Sequence, residues 1–173
     1  MSLTLAQLRA CMPDAGERAP LHWQALDGAM AEFGIESLLQ QACFLAQVAH
    51  ETASLRFLRE IHDGSNYEGR EDLGNTQEGD GKRFPGRGDM MITGRTNTLR
   101  CLRELGRPDT DITYLETPIG AARSGAWYWR SRGLNDIAAL GNFGTLTKKI
   151  NGGYNGLDDR IRHYVRIRRV FGL

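Results

Sequence analysis

The chain has no apolar run approaching the roughly 20 residues needed to span a bilayer, and period-two alternation suited to strands is scarce. It lacks internal repeats and low-complexity tracts. Its three cysteines, Cys11, Cys43 and Cys101, lie far apart, with no CxxC pair and no cysteine–histidine cluster at zinc-like spacing. A disulfide framework and a structural zinc site are therefore not expected, and at least one thiol is unpaired within a monomer. Cys43 falls in an apolar helical run and reads as a small buried hydrophobe; such cysteine usage suits a reducing cytoplasm. Lysine is also scarce, with 22 basic residues dominated by arginine. The first twenty residues, MSLTLAQLRACMPDAGERAP, break their apolar stretches at Arg9, Pro13, Asp14 and Glu17 and do not form a signal-peptide pattern.

What is present is ordinary. With 173 residues, 40% hydrophobic and 25% charged, the chain is expected to be soluble and folded, one domain over 1–173 with one main core. Net charge is +1, so the basic character is local: Arg160, Arg162, Arg166, Arg168 and Arg169 crowd the C-terminal stretch, either as a solvated helix face or as a surface for an anionic polymer. Nothing else points to nucleic acid.

The pattern predicts a mainly α fold with at most a small β element. Leu3, Leu5, Leu8 and Met12 share a face of a short helix that Pro13 ends. A second helix runs from about 21 to 33, and Gly34 stops it. Ser37 reads as an N-cap for SLLQQACFLAQVAHET, with Leu38, Leu39, Ala42, Leu45, Ala46 and Ala49 at three- and four-residue steps. A short helical stretch, SLRFLREI, is expected to follow and to carry Glu60. Residues 62–89 are rich in Gly, Asn, Asp and charge and read as a long loop with room for one short helical turn, a feature that is often functional, with Tyr67, Leu73 and Phe84 as anchors. Further helices are expected at about 95–105, 116–131, 142–150 and 157–170, with Thr117-Pro118 a good helix start. Residues 1–36 form an N-terminal helical cover and 37–173 the main body.

Two carboxylates, Glu51 and Glu60, stand nine residues apart at the junction of the apolar helix and the polar loop. A straight helix would separate them by roughly 13 Å at about 1.5 Å per residue; a bend near Ala53-Ser54 shortens that. Inverting glycosidases place a protonated acid and a water-activating carboxylate about 6.5 to 9.5 Å apart. Glu51 follows an apolar helix, a setting that favours a protonated carboxyl, whereas Glu60 lies beside Arg56, Arg59 and the polar loop, which favours a carboxylate. The pair alone does not separate a catalytic dyad from two surface acids.

The segments FLAQVAHETASLRFLREI, YEGREDLGNTQEGDGKRFPGRGDMMITGRTNTLR and INGGYNGLDDRIRHY, in that order, resemble glycoside hydrolase family 19, the chitinase-like fold of plant chitinases and many phage endolysins. The resemblance covers roughly residues 38 to 168. It implies a lysozyme-like, mainly helical fold with a deep cleft, no metal or organic cofactor, and single-displacement hydrolysis of β-1,4-linked amino sugars. It assigns the general acid to Glu51, the second catalytic glutamate to Glu60 with Glu68 as competitor, and the water-holding hydroxyl to Thr93. Asn97, Asn151 and Arg160 become substrate-positioning residues; Arg160 can pair with a catalytic carboxylate, and Asn151-Gly152-Gly153 is equally a helix-ending turn. His50 can tune Glu51 or cap backbone carbonyls at the helix end. Of Trp127, Tyr128 and Trp129, at least one is expected in the core because adjacent helical residues point in different directions.

Two positions depart from the family pattern. Met91 stands where a glutamine is usual, which removes a polar contact, and Thr98 replaces a tyrosine expected in the cleft. The DLGNT-QEGDG loop resembles phage and bacterial members more than plant ones. The expected function is therefore an endolysin-type peptidoglycan hydrolase, a muramidase, with a chitinase or a degenerate glycan-binding module as the alternatives. Its expected partners are peptidoglycan or a chitin-like polysaccharide and, through the Arg-rich helix, an anionic envelope surface. The chain is expected to act as a monomer, made in the cytoplasm and released to the wall by a separate factor such as a holin.

Overall fold

The computed structural model describes residues 2–173, so Met1, the first residue of the expected N-terminal cover, lies outside the described part. Its α-helices are α1 (Leu5–Cys11), α2 (Ala19–Glu32), α3 (Leu38–Glu51), α4 (Asp80–Arg83), α5 (Arg95–Glu104), α6 (Pro118–Ser131), α7 (Leu134–Ala139), α8 (Phe143–Asn151) and α9 (Leu157–Phe171). Short 3-10 turns fill several of the gaps between them. The fold is mainly α, and the β element is reduced to two antiparallel bridges, Arg59 with Arg87 and Arg87 with Ile92.

Helix α3 is the axis of the molecule. Ser37 caps it by accepting a hydrogen bond from the Gln40 amide at 3.2 Å, while the Gln40 side chain accepts one from the Ser37 amide at 2.9 Å, the reciprocal arrangement that satisfies donors left open at a helix start. Every residue from Gln41 to Ala49 is buried, so this helix is covered on all sides and its apolar character runs right round. Helix α9 lies along it, and α6 packs against α2. Thr117 caps α6, its hydroxyl accepting from the Gly120 amide at 3.1 Å, with Pro118 in the first turn. Gly120 has no room for a side chain there, since a Cβ would fall 1.9 Å from the Tyr114 carbonyl oxygen.

A single apolar cluster joins α1, α2, α3, α6 and α9. At its heart Phe44 meets Trp129 edge to face, with centroids 5.4 Å apart at 84°, a favoured geometry for two ring quadrupoles. All three cysteines are free and buried. Burial pushes their thiols up, to about 12 for Cys11 and Cys101 and about 11 for Cys43, which leaves none of them poised as a thiolate nucleophile. No helix among the described residues is long and apolar enough to cross a membrane.

Three sequence expectations need correction. SLRFLREI is not helical: the chain turns through left-handed Ala53, Ser54 and Leu55 and then runs extended into the Arg59 bridge. The loop 62–89 holds more than the one short helical turn expected: two 3-10 turns, Ser65–Tyr67 and Glu71–Leu73, as well as α4. Helix α7 was not anticipated; it is six residues long, follows left-handed Gly133 and has no side-chain cap, so it carries little periodic signal.

Candidate active site

Glu51 is the last residue of α3, partly exposed at the end of a buried helix. Helix α9 supplies its partner. Arg160 is buried, and its Nη2 donates to Glu51 Oε1 at 2.6 Å. Its Nη1 donates to Gln47 Oε1, and Nε reaches the Asn155 carbonyl at 3.4 Å. Gln47 lies one turn before Glu51 on the same face of α3, and its amide nitrogen donates to Thr147 Oγ1 of α8 at 3.0 Å. One guanidinium thus ties two α3 side chains to α9, and a third helix holds the assembly. Among the described residues the hydrogen bonding of Glu51 goes through Oε1, which leaves Oε2 to the groove.

The neighbouring residues repeat the connection one step away. His50 Nδ1 lies 2.7 Å from Asp159 Oδ2, so consecutive residues of α3 meet consecutive residues of α9. Burial alone would push the Asp159 carboxyl up, but the His50 hydrogen bond, the His163 charge and the Arg162 contact bring it below the usual carboxylate value. The His50 ring rests on Gly156, where a Cβ would fall 2.4 Å from Cε1. Neither of the two roles expected for His50 is its hydrogen bond here; that bond anchors α3 to α9.

Glu60 arrives by a chain reversal that Thr52 organises. The buried Thr52 hydroxyl donates to the Val48 carbonyl at 2.7 Å and accepts from the Leu55 amide at 2.8 Å, while its carbonyl accepts from the amides of Arg56 and Phe57. Left-handed φ values at Ala53, Ser54 and Leu55 of 48°, 57° and 65° turn the chain at a cost of about 1–2 kcal/mol for each residue. The extended segment then pairs with the GRG loop: the Glu60 amide donates to the Gly86 carbonyl at 2.8 Å, and the Gly88 amide to Leu58 at 2.9 Å.

The Glu60 carboxylate is held on both oxygens. Tyr67 donates its hydroxyl to Oε1 at 2.8 Å, and the Gly86 amide donates to Oε2 at 3.1 Å. Gly86 is the floor shared with Thr93: a Cβ built there would sit 3.2 Å from Thr93 Oγ1 and 3.3 Å from Glu60 Oε2. The threonine hydroxyl donates to the Met91 carbonyl at 2.9 Å, and the Thr93 carbonyl accepts from the Asn97 amide at 2.9 Å.

Two hollows share Glu51 and Met91 and together form one groove. The larger, of 360 Å³, is lined by Glu51, Thr93, Asn97 and Asn151 along with Tyr128 and Arg132. The smaller, of 300 Å³, is lined by Glu51, Glu60, Phe57, Arg59 and Met91. Both glutamates therefore open on a common space, with a hydroxyl, two amides and an aromatic ring beside it. This is the equipment of a polyol-binding cleft with an acid and a base. Among the described residues no group of three or more His, Cys, Asp or Glu is arranged to hold a metal ion.

Comparison with known proteins bears on this arrangement. No family model matches the chain. It is 28% identical over 176 residues to a glycosyl hydrolase family 19 domain-containing protein of Haemophilus influenzae, covering 82% of this chain and 85% of that one. Chitinase C from Streptomyces griseus superposes with a TM-score of 0.79 at 22% identity, over 98% of this chain and 92% of that one. A bacterial family 19 chitinase gives 0.79 at 21% identity, over 99% and 95%. The class IV chitinase of Zea mays gives 0.68 at 20% identity, over 86% and 79%. The chain has the fold of glycoside hydrolase family 19.

Within this family 19 fold, Glu51, Thr93, Asn97 and Asn151 line the larger hollow and Glu60 joins Glu51 in the smaller; Arg160 reaches the site through Glu51. Asn151 also donates to the Asn155 carbonyl at 3.3 Å, and Gly152 ends α8 in the left-handed region, so it occupies the cleft wall and the helix-ending turn at once. Glu68 is engaged elsewhere: its two oxygens each accept a loop amide, Gly79 and Gly81, at 2.7 Å. It fastens the long loop and does not line the groove.

The two departures from the family pattern separate. Met91 lies at the junction of the two hollows with φ 44°, whereas Thr98 lies on the buried side of α5, its hydroxyl without a hydrogen-bond partner among the described residues. Of the five C-terminal arginines, Arg160 is in the site, Arg162 pairs with Asp159 at 2.8 Å, Arg168 lies over Tyr164, and Arg162, Arg166 and Arg169 line a common hollow on α9. Trp129 is fully buried, whereas Trp127, though nearly buried, and Tyr128 both line the larger hollow.

Gln47, Tyr67, Asp159 and Arg132 were missed in the sequence. Gln47 had a signal, because it stands four residues before Glu51 on a helix. Asp159 meets His50 across 109 residues and had none, and Tyr67, only seven residues from Glu60, meets it through a chain reversal that no local pattern announced.

Proposed function

We propose that this chain is an endolysin-type peptidoglycan hydrolase that cleaves β-1,4 glycosidic bonds with inversion. The observation that carries the reading is the shared groove of Glu51 and Glu60, with the Glu60 carboxylate and the Thr93 hydroxyl placed over the same glycine. Glu51 gives a proton to the glycosidic oxygen as the bond to the anomeric carbon breaks. Glu60 takes a proton from a water that attacks the same carbon from the opposite face, and Thr93 orients that water. Arg160 fixes the Glu51 carboxyl, while Asn97 and Asn151 offer amides to sugar hydroxyls and N-acetyl groups.

Peptidoglycan is favoured as the substrate by the resemblance of the DLGNT-QEGDG loop to phage and bacterial relatives and by arginine in the groove wall. Chitin is the second reading, favoured by the likeness in fold to family 19 chitinases. Digestion of purified peptidoglycan and of chitin oligomers by the parent and by Glu51→Gln, with new reducing ends identified by mass spectrometry, tests both. Glu51-dependent muramic acid ends support the muramidase. Products from chitin alone transfer the assignment to a chitinase, and products from neither polymer end the glycosidase reading.

A further inference from the structure

Two arginines line the larger hollow, Arg100 of α5 and Arg132 immediately after α6, and their charges are treated differently. Arg100 Nε donates to Glu104 Oε1 at 2.8 Å, and Glu104 also accepts the Trp127 indole N–H at 2.7 Å. That guanidinium is neutralised within the protein. Arg132 has no carboxylate within 4.0 Å and no side-chain hydrogen bond among the described residues.

Arg132 is nonetheless placed. Its guanidinium carbon lies 4.2 Å from the centroid of the Tyr128 ring, and the Tyr128 hydroxyl donates to the Ile150 carbonyl at 3.1 Å. Burial pushes the Tyr128 phenol above its ordinary value, and the charges it senses are those of Arg132, Glu51 and Arg160. The stacked arginine, the ring beneath it and the candidate acid Glu51 line the same hollow. A cation past the end of a helix gains about 0.3–1 kcal/mol from the helix dipole, which accounts for a basic residue here but not for its place in the groove wall. Stacking fixes the plane of the guanidinium and leaves its fork of donors without an acceptor from the protein.

A planar fork of N–H groups is the natural partner of a carboxylate. Chitin is a neutral polymer, whereas peptidoglycan carries free carboxylates on the peptide stems attached to its lactyl groups. We propose that Arg132 is a specificity-determining residue that binds a stem carboxylate beside the scissile bond and so selects peptidoglycan over neutral amino-sugar polymers. The inference rests on the glycosidase reading of the groove.

The test compares native peptidoglycan with peptidoglycan whose carboxyls have been converted to neutral amides by carbodiimide and ethanolamine. For the parent, kcat/KM is expected to be about tenfold higher on the native polymer, with the difference in KM. In Arg132→Gln that ratio is expected to fall to about one, and Arg132→Lys, which keeps the charge but not the fork, is expected to fall between the two. The same pairs in a Glu51→Gln background, sedimented with each insoluble polymer, read binding without cleavage and are expected to follow the same order. A native-to-amidated ratio equal in parent and Arg132→Gln overturns the proposal, whether or not the overall activity has dropped. A parent that cleaves neither polymer overturns the glycosidase reading. If Glu51→Gln then still prefers the native polymer, and loses that preference with Arg132→Gln, carboxylate binding at Arg132 stands without it.

Discussion

Arg160 donates to Glu51 Oε1 at 2.6 Å across 109 residues of sequence, from a buried position on α9 to the last residue of α3. The same guanidinium holds Gln47, so its loss leaves a carboxylate and an amide without their shared partner. Arg160→Ala is expected to cost about 3–5 kcal/mol, the range for breaking a buried ion pair, and to lower kcat by more than tenfold. Thermal unfolding and steady-state kinetics on peptidoglycan check this together. An unchanged melting temperature would mean that Arg160 does not tie the two helices.

Thr93 shares the Gly86 floor with the Glu60 carboxylate. Thr93→Val keeps the shape and removes the hydroxyl, and a correctly placed group in proton transfer is worth about 10²–10⁴-fold. A fall in kcat of about a hundredfold with KM nearly constant is expected. A change confined to KM would assign the hydroxyl to sugar binding.

Ala53 is exposed and left-handed at φ 48°. Glycine removes the Cβ penalty, offset in part by its greater freedom in the unfolded chain. Ala53→Gly is expected to stabilise the protein by about 1 kcal/mol, which for a chain of this size raises Tm by about 2–4 °C. A lower Tm in calorimetry would show that the turn is not under strain.

Asp89 is fully buried, neither carboxyl oxygen has a partner among the described residues, and burial pushes it up to about 7. Its folded value thus lies above the unfolded one near 3.8. The protonated form suits the fold, so its contribution is complete below about pH 4 and is lost as the pH rises toward 7. Asp89→Asn is expected to match the parent near pH 4 and to exceed it in Tm by a growing margin up to pH 7, constant above that. A margin independent of pH would contradict a buried, titrating carboxyl.

Much of this was legible in the residues, and particular failures show why the rest was not. The capping box at Ser37, the apolar steps of α3 and the Thr117-Pro118 start are local signals, and local hydrogen bonds answered them. SLRFLREI has helical spacing too, yet Leu55 is buried while Ile61 is 77% exposed. Thr52 and the GRG loop capture its backbone amides and carbonyls, and two partners outside the segment outweigh a propensity within it. The same loop contacts bring Glu60 to the groove that a continuous helix would have carried it away from.

The glutamates and Arg160 could be singled out from the sequence because their motifs stand in a recognisable order. Their relation could not. Glu51 is made a site by α9 laid against α3, Glu60 by a strained turn and the GRG loop, and Arg132 by the ring of Tyr128 beneath it. The sequence by itself determined the longer helices, because a helix is closed by bonds between near neighbours. The tertiary structure alone decided which charges meet and which are left for a substrate, because packing sets the partners of a charge across any distance along the chain.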